Sequence, residues 1–195
     1  RTAKETSTFV GENGTYIILT FDGKPLLTTK DWKLYVAKLP DGQIGFMKIA
    51  ANNDGSNVLN NESRILITLQ SVALEIDKES MKKGNQPINL GAMLPNIVEK
   101  TMTDEDEPRT VLFLGFNPVV ATYQQLIPLS VATKIERIDL KSATWILSKM
   151  LKLFDFIHML GFSFESLGAS NVLLETNLHG AFVLDFSKMN DDPGE

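Results

Sequence analysis

The chain has 195 residues, a formal net charge of −5 and no cysteine. Its residues are 43% hydrophobic and 22% charged, which is the balance of a packed globular protein rather than a disordered one. The lack of cysteine excludes disulfides and thiolate metal sites, and the negative charge argues against an electrostatic nucleic-acid binder, so we expect a cytoplasmic protein that binds no nucleic acid.

The first half of the chain is predicted to be mainly β-structure, after an N-terminal extension over residues 1–14. Runs of β-branched and aromatic residues indicate strands, and Pro40-Asp41-Gly42 is a typical hairpin connection. Apolar residues at helical spacing predict one helix over residues 57–69. The predicted strands span residues 15–21, 32–39, 43–49, 97–102 and 110–114.

The second half is predicted to be more helical. Residues 140–160 form a long helical stretch with only a narrow polar stripe, so this helix should be largely surrounded by other structure. Two short strands, 171–175 and 181–186, follow as a hairpin. The preceding run 110–133 carries no charge, but its prolines and amides would leave polar groups unpaired in lipid, so we expect no membrane span.

Lys48 and Glu62 are charged residues at apolar positions. Lys48 shares a strand face with Phe46, and Glu62 lies four residues before Leu66 in the middle of the apolar helix face. If the two charges meet, each offsets the desolvation cost of the other. Alternatively, each side chain extends separately to solvent, and the pattern alone leaves both arrangements open.

Asn171 and Asp185 form a second constellation at the ends of the predicted hairpin. The start of the first strand and the end of the second lie side by side in an antiparallel hairpin. An amide oxygen and a carboxylate are suitable ligands for magnesium, with phosphate oxygens and water completing the shell. The alternative is that both side chains only cap the ends of the strands.

The order of these four residues resembles the protein kinases, in which a strand lysine, a helix glutamate, an asparagine and an Asp-Phe-Gly aspartate follow one another. Gly45-Phe46-Met47-Lys48 resembles the third-strand lysine motif, and Asn61-Glu62-Ser63 stands where the helix glutamate is expected. Residues 110–115 resemble the strand that enters the interlobe hinge. Asn171-Val172-Leu173-Leu174 resembles the end of the catalytic loop, and Asp185-Phe186-Ser187 resembles the Asp-Phe-Gly motif.

The resemblance runs from about Thr15 to Lys188. Within the kinases, the chain is most similar to small, divergent kinase-like proteins of bacteria and phages. It implies a protein-kinase-like two-lobe α+β fold with a boundary near Gly115. The N-lobe, residues 15–115, would hold an antiparallel sheet with one helix. Residues 116–195 would form a truncated, helical C-lobe.

The resemblance also implies a nucleotide site. Lys48 would contact the α- and β-phosphates of ATP and pair with Glu62, while Asn171 and Asp185 would hold magnesium. The backbone of Leu114–Phe116, which includes Gly115, would meet the adenine edge.

Two features of an active kinase are missing. Ser166 stands five residues before Asn171, where a kinase has the aspartate that accepts the hydroxyl proton, so no catalytic residue is assigned. A serine hydroxyl is too weakly acidic to act as that base near neutral pH. Between Asp22 and Asp31 the phosphate-covering loop has one glycine, Gly23, in place of three.

The sequence therefore predicts a pseudokinase-like module that can bind ATP and magnesium, with little or no phosphotransfer and a regulatory or scaffolding role. The alternatives are an interaction protein that keeps the fold without nucleotide, and an atypical active kinase. Only eight residues follow Ser187, so the chain is either a fragment or a protein that has dispensed with the later helices of a kinase. In the second case we expect the apolar surface of a short C-lobe to be covered by self-association or a protein partner. His158 and His179 are expected to be structural, in helix packing and in turn hydrogen bonding respectively.

Overall fold

The computed structural model describes residues 3–116, 120, 122–135, 138–175 and 180–191. Chain contacts divide the protein into two compact units, Arg1–Arg64 with Asn96–Tyr123 and Ile65–Pro95 with Gln124–Glu195. The described chain combines an antiparallel sheet with three α-helices, so the predicted α+β class is confirmed. None of the described helices has both the length and the apolar character that a membrane span requires.

Seven antiparallel strands form the sheet of the first unit. They are β1 (Lys4–Gly11), β2 (Gly14–Thr20), β3 (Leu27–Thr28), β4 (Trp32–Lys38), β5 (Ile44–Ala50), β6 (Asn96–Met102) and β7 (Thr110–Gly115). Their order is β1-β2-β4-β5-β7-β6, with β3 beside β4. The five predicted strands are confirmed, each to within one residue at either end. The sequence did not predict β1, because this edge strand is exposed along most of its length and lacks the apolar alternation of a half-buried strand.

One face of this sheet is filled by an aromatic and aliphatic cluster. Its buried members are Tyr16, Ile18, Ala37, Leu39, Met47, Val111 and Phe113. The rings of Tyr16 and Phe113 stack with their centroids 3.6 Å apart and an angle of 16° between their planes. Since Lys48 belongs to the other face of β5, the cluster supports the strand that carries it from behind.

Glu99 on β6 joins the last strand of this sheet to the turn between β1 and β2. One carboxylate oxygen accepts a hydrogen bond from the backbone N–H of Glu12 (2.9 Å), and the other accepts from that of Asn13 (3.0 Å) and from the Tyr16 hydroxyl (2.8 Å). Burial raises the pKa of the Glu99 carboxyl, but the three hydrogen bonds outweigh burial and hold the pKa below its ordinary value. A Cβ at Gly11 would collide with this carboxylate, so the glycine permits the close approach.

The helix α1 spans Asn53–Lys82 and is much longer than the predicted 57–69. It begins where the side chain of Asn52 accepts a hydrogen bond from the backbone N–H of Gly55 at 2.8 Å. It ends just before Gly84, whose φ of +76° is the left-handed conformation of a helix C-terminus. The predicted end at residue 69 is wrong, because apolar residues continue through Ile76 and exposed i,i+3 ion pairs accompany the last turns.

The part of α1 from Ile65 onward belongs to the second unit and holds the chain that follows it. The amide nitrogen of Gln70 donates to the backbone carbonyl of Leu94 at 3.2 Å. The carboxylate of Asp77 accepts from the backbone N–H groups of Ile88 (2.7 Å) and Asn89 (3.0 Å). These contacts position a short 3-10 helix, Leu90–Met93, whose contacts include strand and helix residues of the same unit.

The remaining elements of the second unit are α2 (Leu129–Ile135), α3 (Leu140–Met159), β8 (Leu126–Pro128), β9 (Phe162–Phe164), β10 (Val172–Glu175), β11 (Gly180–Val183) and β12 (Met189–Asp191). A 3-10 helix at Ala169–Asn171 precedes β10, and another lies at Tyr123–Gln125. The strands pair antiparallel in the orders β11-β10-β8 and β12-β9. The predicted hairpin is confirmed, although its second strand is shorter than expected and ends at Val183.

The helix α3 matches the predicted helix over residues 140–160. Its first turn is capped by Asp139, whose carboxylate accepts a hydrogen bond from the backbone N–H of Ser142 at 3.0 Å. One face is buried through residues such as Leu153 and Phe156. The expectation of a largely surrounded helix is wrong for the opposite side, where Leu147 and Leu151 are 58% and 57% exposed.

Candidate functional site

Lys48 of β5 and Glu62 of α1 form a buried ion pair. The ammonium nitrogen of Lys48 lies 2.6 Å from a carboxylate oxygen of Glu62, and both side chains are fully buried. The predicted pairing is confirmed, and independent extension of the two side chains to solvent is excluded. At this distance each charge compensates the other, because an isolated charge at either position would be left buried without a counter-charge.

Trp32 covers the ion pair from the neighbouring strand. Its ring centroid lies 4.5 Å from the ammonium nitrogen of Lys48, a cation–π distance. The register explains the contact: Leu34 of β4 pairs with Lys48, so Trp32 is the diagonal neighbour of Lys48 on the same face. Trp32 was not predicted as part of this site, although the Pro40-Asp41-Gly42 hairpin and strict alternation place Trp32 and Lys48 on one face.

The three residues expected to meet an adenine edge lie at the end of β7. Leu114 has registered partners on both sides, Phe46 of β5 and Ile97 of β6. Gly115 is registered with Asn96 on the β6 side, and Phe116 follows the last residue of the strand. Phe116 is buried, and its ring meets that of Phe46 edge-on with centroids 5.6 Å apart. The rings of Phe46 and Phe116 therefore pack together beside the end of β7.

The segment expected to cover phosphates is a short, tight structure. Phe21 and Lys24 exchange two backbone hydrogen bonds of 3.2 Å across Asp22 and Gly23, which both have positive φ. The side chain of Thr29 then accepts from the backbone N–H of Trp32 at 3.0 Å. These hydrogen bonds join the segment to itself and to the first residue of β4, and the segment contains a single glycine, Gly23.

Asn171 and Asp185 lie at the same end of the β10–β11 hairpin. Val172 pairs with Val183, and the backbone N–H of Leu184 donates to the carbonyl of Asn171 at 2.8 Å. Asp185 therefore follows the hairpin on the side where Asn171 precedes it, as predicted. The carboxylate of Asp185 accepts a hydrogen bond from the backbone N–H of Ser187 at 3.0 Å.

These two residues supply one carboxylate and one amide oxygen. Among the described residues, no group of three or more histidine, cysteine, aspartate or glutamate side chains could hold a metal ion. Magnesium commonly takes one or two protein carboxylates together with substrate phosphates and water. A carboxylate and an amide oxygen are ligand types that magnesium accepts, and two such ligands are too few for an all-protein metal site.

Ser166 and its neighbour Glu165 lie between β9 and the 3-10 helix at Ala169–Asn171, and both are exposed. The backbone N–H of Glu165 donates to the carbonyl of Lys188 at 3.0 Å. Just before them, the ring of Phe164 lies 5.5 Å from the ring of Phe186, which is fully buried. The segment is thus anchored to the Asp-Phe-Ser sequence by an aromatic contact, while position 166 carries only a hydroxyl.

His158 is the histidine that lies among the described residues. His158 is exposed on α3, so its expected role in helix packing is wrong. His179 lies outside the described residues. The Lys48–Glu62 pair and the Asn171–Asp185 end of the hairpin belong to different compact units, and each is defined by its own local geometry.

No family model matches this sequence, and no curated protein matches it significantly. The kinase-like interpretation consequently depends on the chain's own residues. Its strongest element is the predicted contact between a strand lysine and a helix glutamate, since this contact joins residues 14 positions apart on different elements.

Proposed function

We propose that this protein is a pseudokinase-like module that binds ATP with magnesium, transfers phosphate poorly or not at all, and acts in regulation or as a scaffold. The observation that carries the proposal is the fully buried 2.6 Å ion pair between Lys48 and Glu62. In protein kinases a strand lysine must be held by a helix glutamate before it can act on the nucleotide phosphates.

Several further residues have roles in this proposal. Lys48 contacts the α- and β-phosphates, and the backbone around Gly115 meets the adenine edge. Asn171 and Asp185 hold magnesium, which neutralises phosphate charge when it is bound. The β10–β11 hairpin supports this assignment, because Asn171 precedes its first strand and Asp185 follows its second strand at the same end.

The proposed loss of phosphotransfer rests on position 166. Ser166 offers a hydroxyl where a carboxylate base is needed, and it lies exposed in an irregular segment. We expect that incorporation of labelled phosphate from ATP, into the protein itself or into a generic protein substrate, does not exceed background. Incorporation by the wild type that is lost in Asp185→Ala would instead establish an atypical active kinase.

Nucleotide binding is tested by thermal unfolding with and without millimolar ATP and magnesium. At about 100 times the dissociation constant, a ligand that binds only the folded state stabilises it by about 2.7 kcal/mol. For a chain of this length we expect the midpoint to rise by roughly 5 to 10 °C. An unchanged midpoint at millimolar nucleotide would reject binding.

The second candidate is an interaction protein that keeps this fold without binding nucleotide. The observation that favours it is the Trp32 ring 4.5 Å from the Lys48 ammonium, together with the complete burial of Lys48 and Glu62. In this candidate the ion pair is purely structural. Trp32→Ala separates the two, because removal of the ring makes the ammonium more accessible: the first candidate predicts retained or tighter ATP binding, and the second predicts none in either protein.

A further inference from the structure

A line of exposed leucines runs along α3. Leu140, Leu147 and Leu151 are 83%, 58% and 57% exposed, and they recur at spacings of seven and four residues. Such spacings place all three on one side of a helix. Single exposed apolar residues are common on protein surfaces, but an aligned set is the usual mark of a contact surface. We call these three residues the leucine stripe.

Two opposite charges flank the leucine stripe on the same edge. Lys141 and Asp155 are both exposed and stand 14 residues apart, which is nearly four helical turns, so they project within about 40° of each other. Within the described chain, neither takes part in a salt bridge. They are about 21 Å apart along the helix, so they cannot pair with each other.

Two leucines of the stripe and the two charges have centres that lie one residue apart. The midpoint between Leu147 and Leu151 is position 149, and the midpoint between Lys141 and Asp155 is position 148. A two-fold axis across α3 at this level would place Leu147 of one copy against Leu151 of the other. The same axis would bring Lys141 of each copy to Asp155 of the other, because a two-fold axis keeps flanking residues on the same edge of an antiparallel helix pair.

We infer that the leucine stripe is a self-association surface, on which a second copy of this chain packs its α3 antiparallel. The charge pattern selects this occupant, since an unrelated partner would not require Lys141 and Asp155 to be centred on the leucines. The inference rests on α3 alone and is independent of the proposed nucleotide function. A single helix pair is smaller than a standard interface of about 800 Å² per partner, so the association is weak and concentration-dependent.

The first experiment is sedimentation velocity of the full chain between about 5 and 500 μM, a range suited to weak interfaces. The wild type is expected to shift from monomer to dimer, and Leu147→Lys to weaken dimerisation by about tenfold or more. Leu74→Lys is the matched control, since Leu74 is equally exposed (57%) but lies on α1. A wild type that stays monomeric throughout, or equal effects of the two substitutions, would overturn the inference.

The second experiment tests the antiparallel register by charge exchange. Lys141→Glu and Asp155→Lys should each weaken dimerisation, and the double variant should return to within about threefold of the wild type. Each single change puts a charge near the helix end that favours it, which offsets the like-charge contact of Asp155→Lys with Lys152 in the same helix. A double variant as weak as the single variants would exclude the antiparallel two-fold arrangement.

Discussion

Glu62 and Glu99 are both buried glutamates of the first unit, but they are compensated in different ways. The carboxylate of Glu62 lies 2.6 Å from the ammonium of Lys48. That of Glu99 accepts hydrogen bonds from two backbone N–H groups and the Tyr16 hydroxyl. Glu62 thus faces a full positive charge, whereas Glu99 faces only neutral donors.

This difference separates a candidate functional site, the Lys48–Glu62 pair, from a structural cluster of hydrogen bonds around Glu99, which we call the Glu99 cluster. A lysine held by a carboxylate can share its charge with a phosphate, because the ammonium group has three donors. The donors around Glu99 belong to one turn and one tyrosine, and they hold two ends of a sheet together. Burial of a charge is therefore not itself a functional signal, and the nature of its partner decides which interpretation applies.

The largest effect is expected from breaking the Lys48–Glu62 pair on one side only. Lys48→Met leaves the Glu62 carboxylate buried without its counter-charge, which should lower the free energy of unfolding by about 3 to 5 kcal/mol. Lys48→Met/Glu62→Leu removes both charges and should be more stable than either single variant. Urea unfolding at neutral pH measures all three, and a double variant with the summed loss of the two singles would contradict the pair.

A smaller loss of stability is expected from a substitution in the Glu99 cluster. Glu99→Gln removes the charge and places an amide donor against groups that already donate, so it should lower the free energy of unfolding by about 1 to 3 kcal/mol. Urea unfolding is again the measurement. Glu79→Gln on the exposed surface of α1 serves as the control and should cause no measurable change. Equal stability of Glu99→Gln and wild type would show that the Glu99 cluster contributes nothing to the free energy of unfolding.

The hydroxyl of Tyr16 should contribute less than the carboxylate it bonds. Tyr16→Phe keeps the stacked contact with Phe113 and removes one hydrogen bond to Glu99, so we expect a loss of about 1 kcal/mol in urea unfolding. Tyr35→Phe on the same sheet is a suitable control. In Glu99→Gln the Tyr16→Phe change should have a reduced effect, and full additivity would contradict a direct bond between the two side chains.

The smallest effect is expected in the pH dependence of the stability that the Glu99 carboxylate contributes. Since the folded-state pKa of Glu99 is lowered, its ionisation stabilises the fold above the unfolded-state pKa of about 4.3. This contribution is lost as the pH falls through the lower, folded-state pKa. The stability difference between wild type and Glu99→Gln should therefore narrow below about pH 4. Unfolding midpoints measured from pH 7 to 3 test this, and a difference that widens on acidification would contradict the sign.

The sequence was a good guide where a pattern was regular and a poor one where partners are distant. Alternation fixed Lys48 on the face of β5, and helical spacing fixed Glu62 on the face of α1, so their contact could be predicted. Glu99 could not be recognised, because its donors lie more than 80 residues away along the chain. The true end of α1 was missed because its last turns carry exposed ion pairs and only a few apolar residues. To predict the position of Trp32 beside Lys48, the register of the β4–β5 hairpin has to be extended from its turn to its open end.

The most direct test of the account is calorimetric titration of ATP with magnesium into wild type and Lys48→Met/Glu62→Leu. The double variant removes both charges without leaving either one buried alone, so it provides a folded protein that lacks the proposed phosphate contact. We predict binding to the wild type and a loss of at least about tenfold in affinity in the double variant, which corresponds to about 1.4 kcal/mol. Equal affinity in both proteins, or no binding to the wild type, would contradict the assignment of Lys48 as a nucleotide-binding residue.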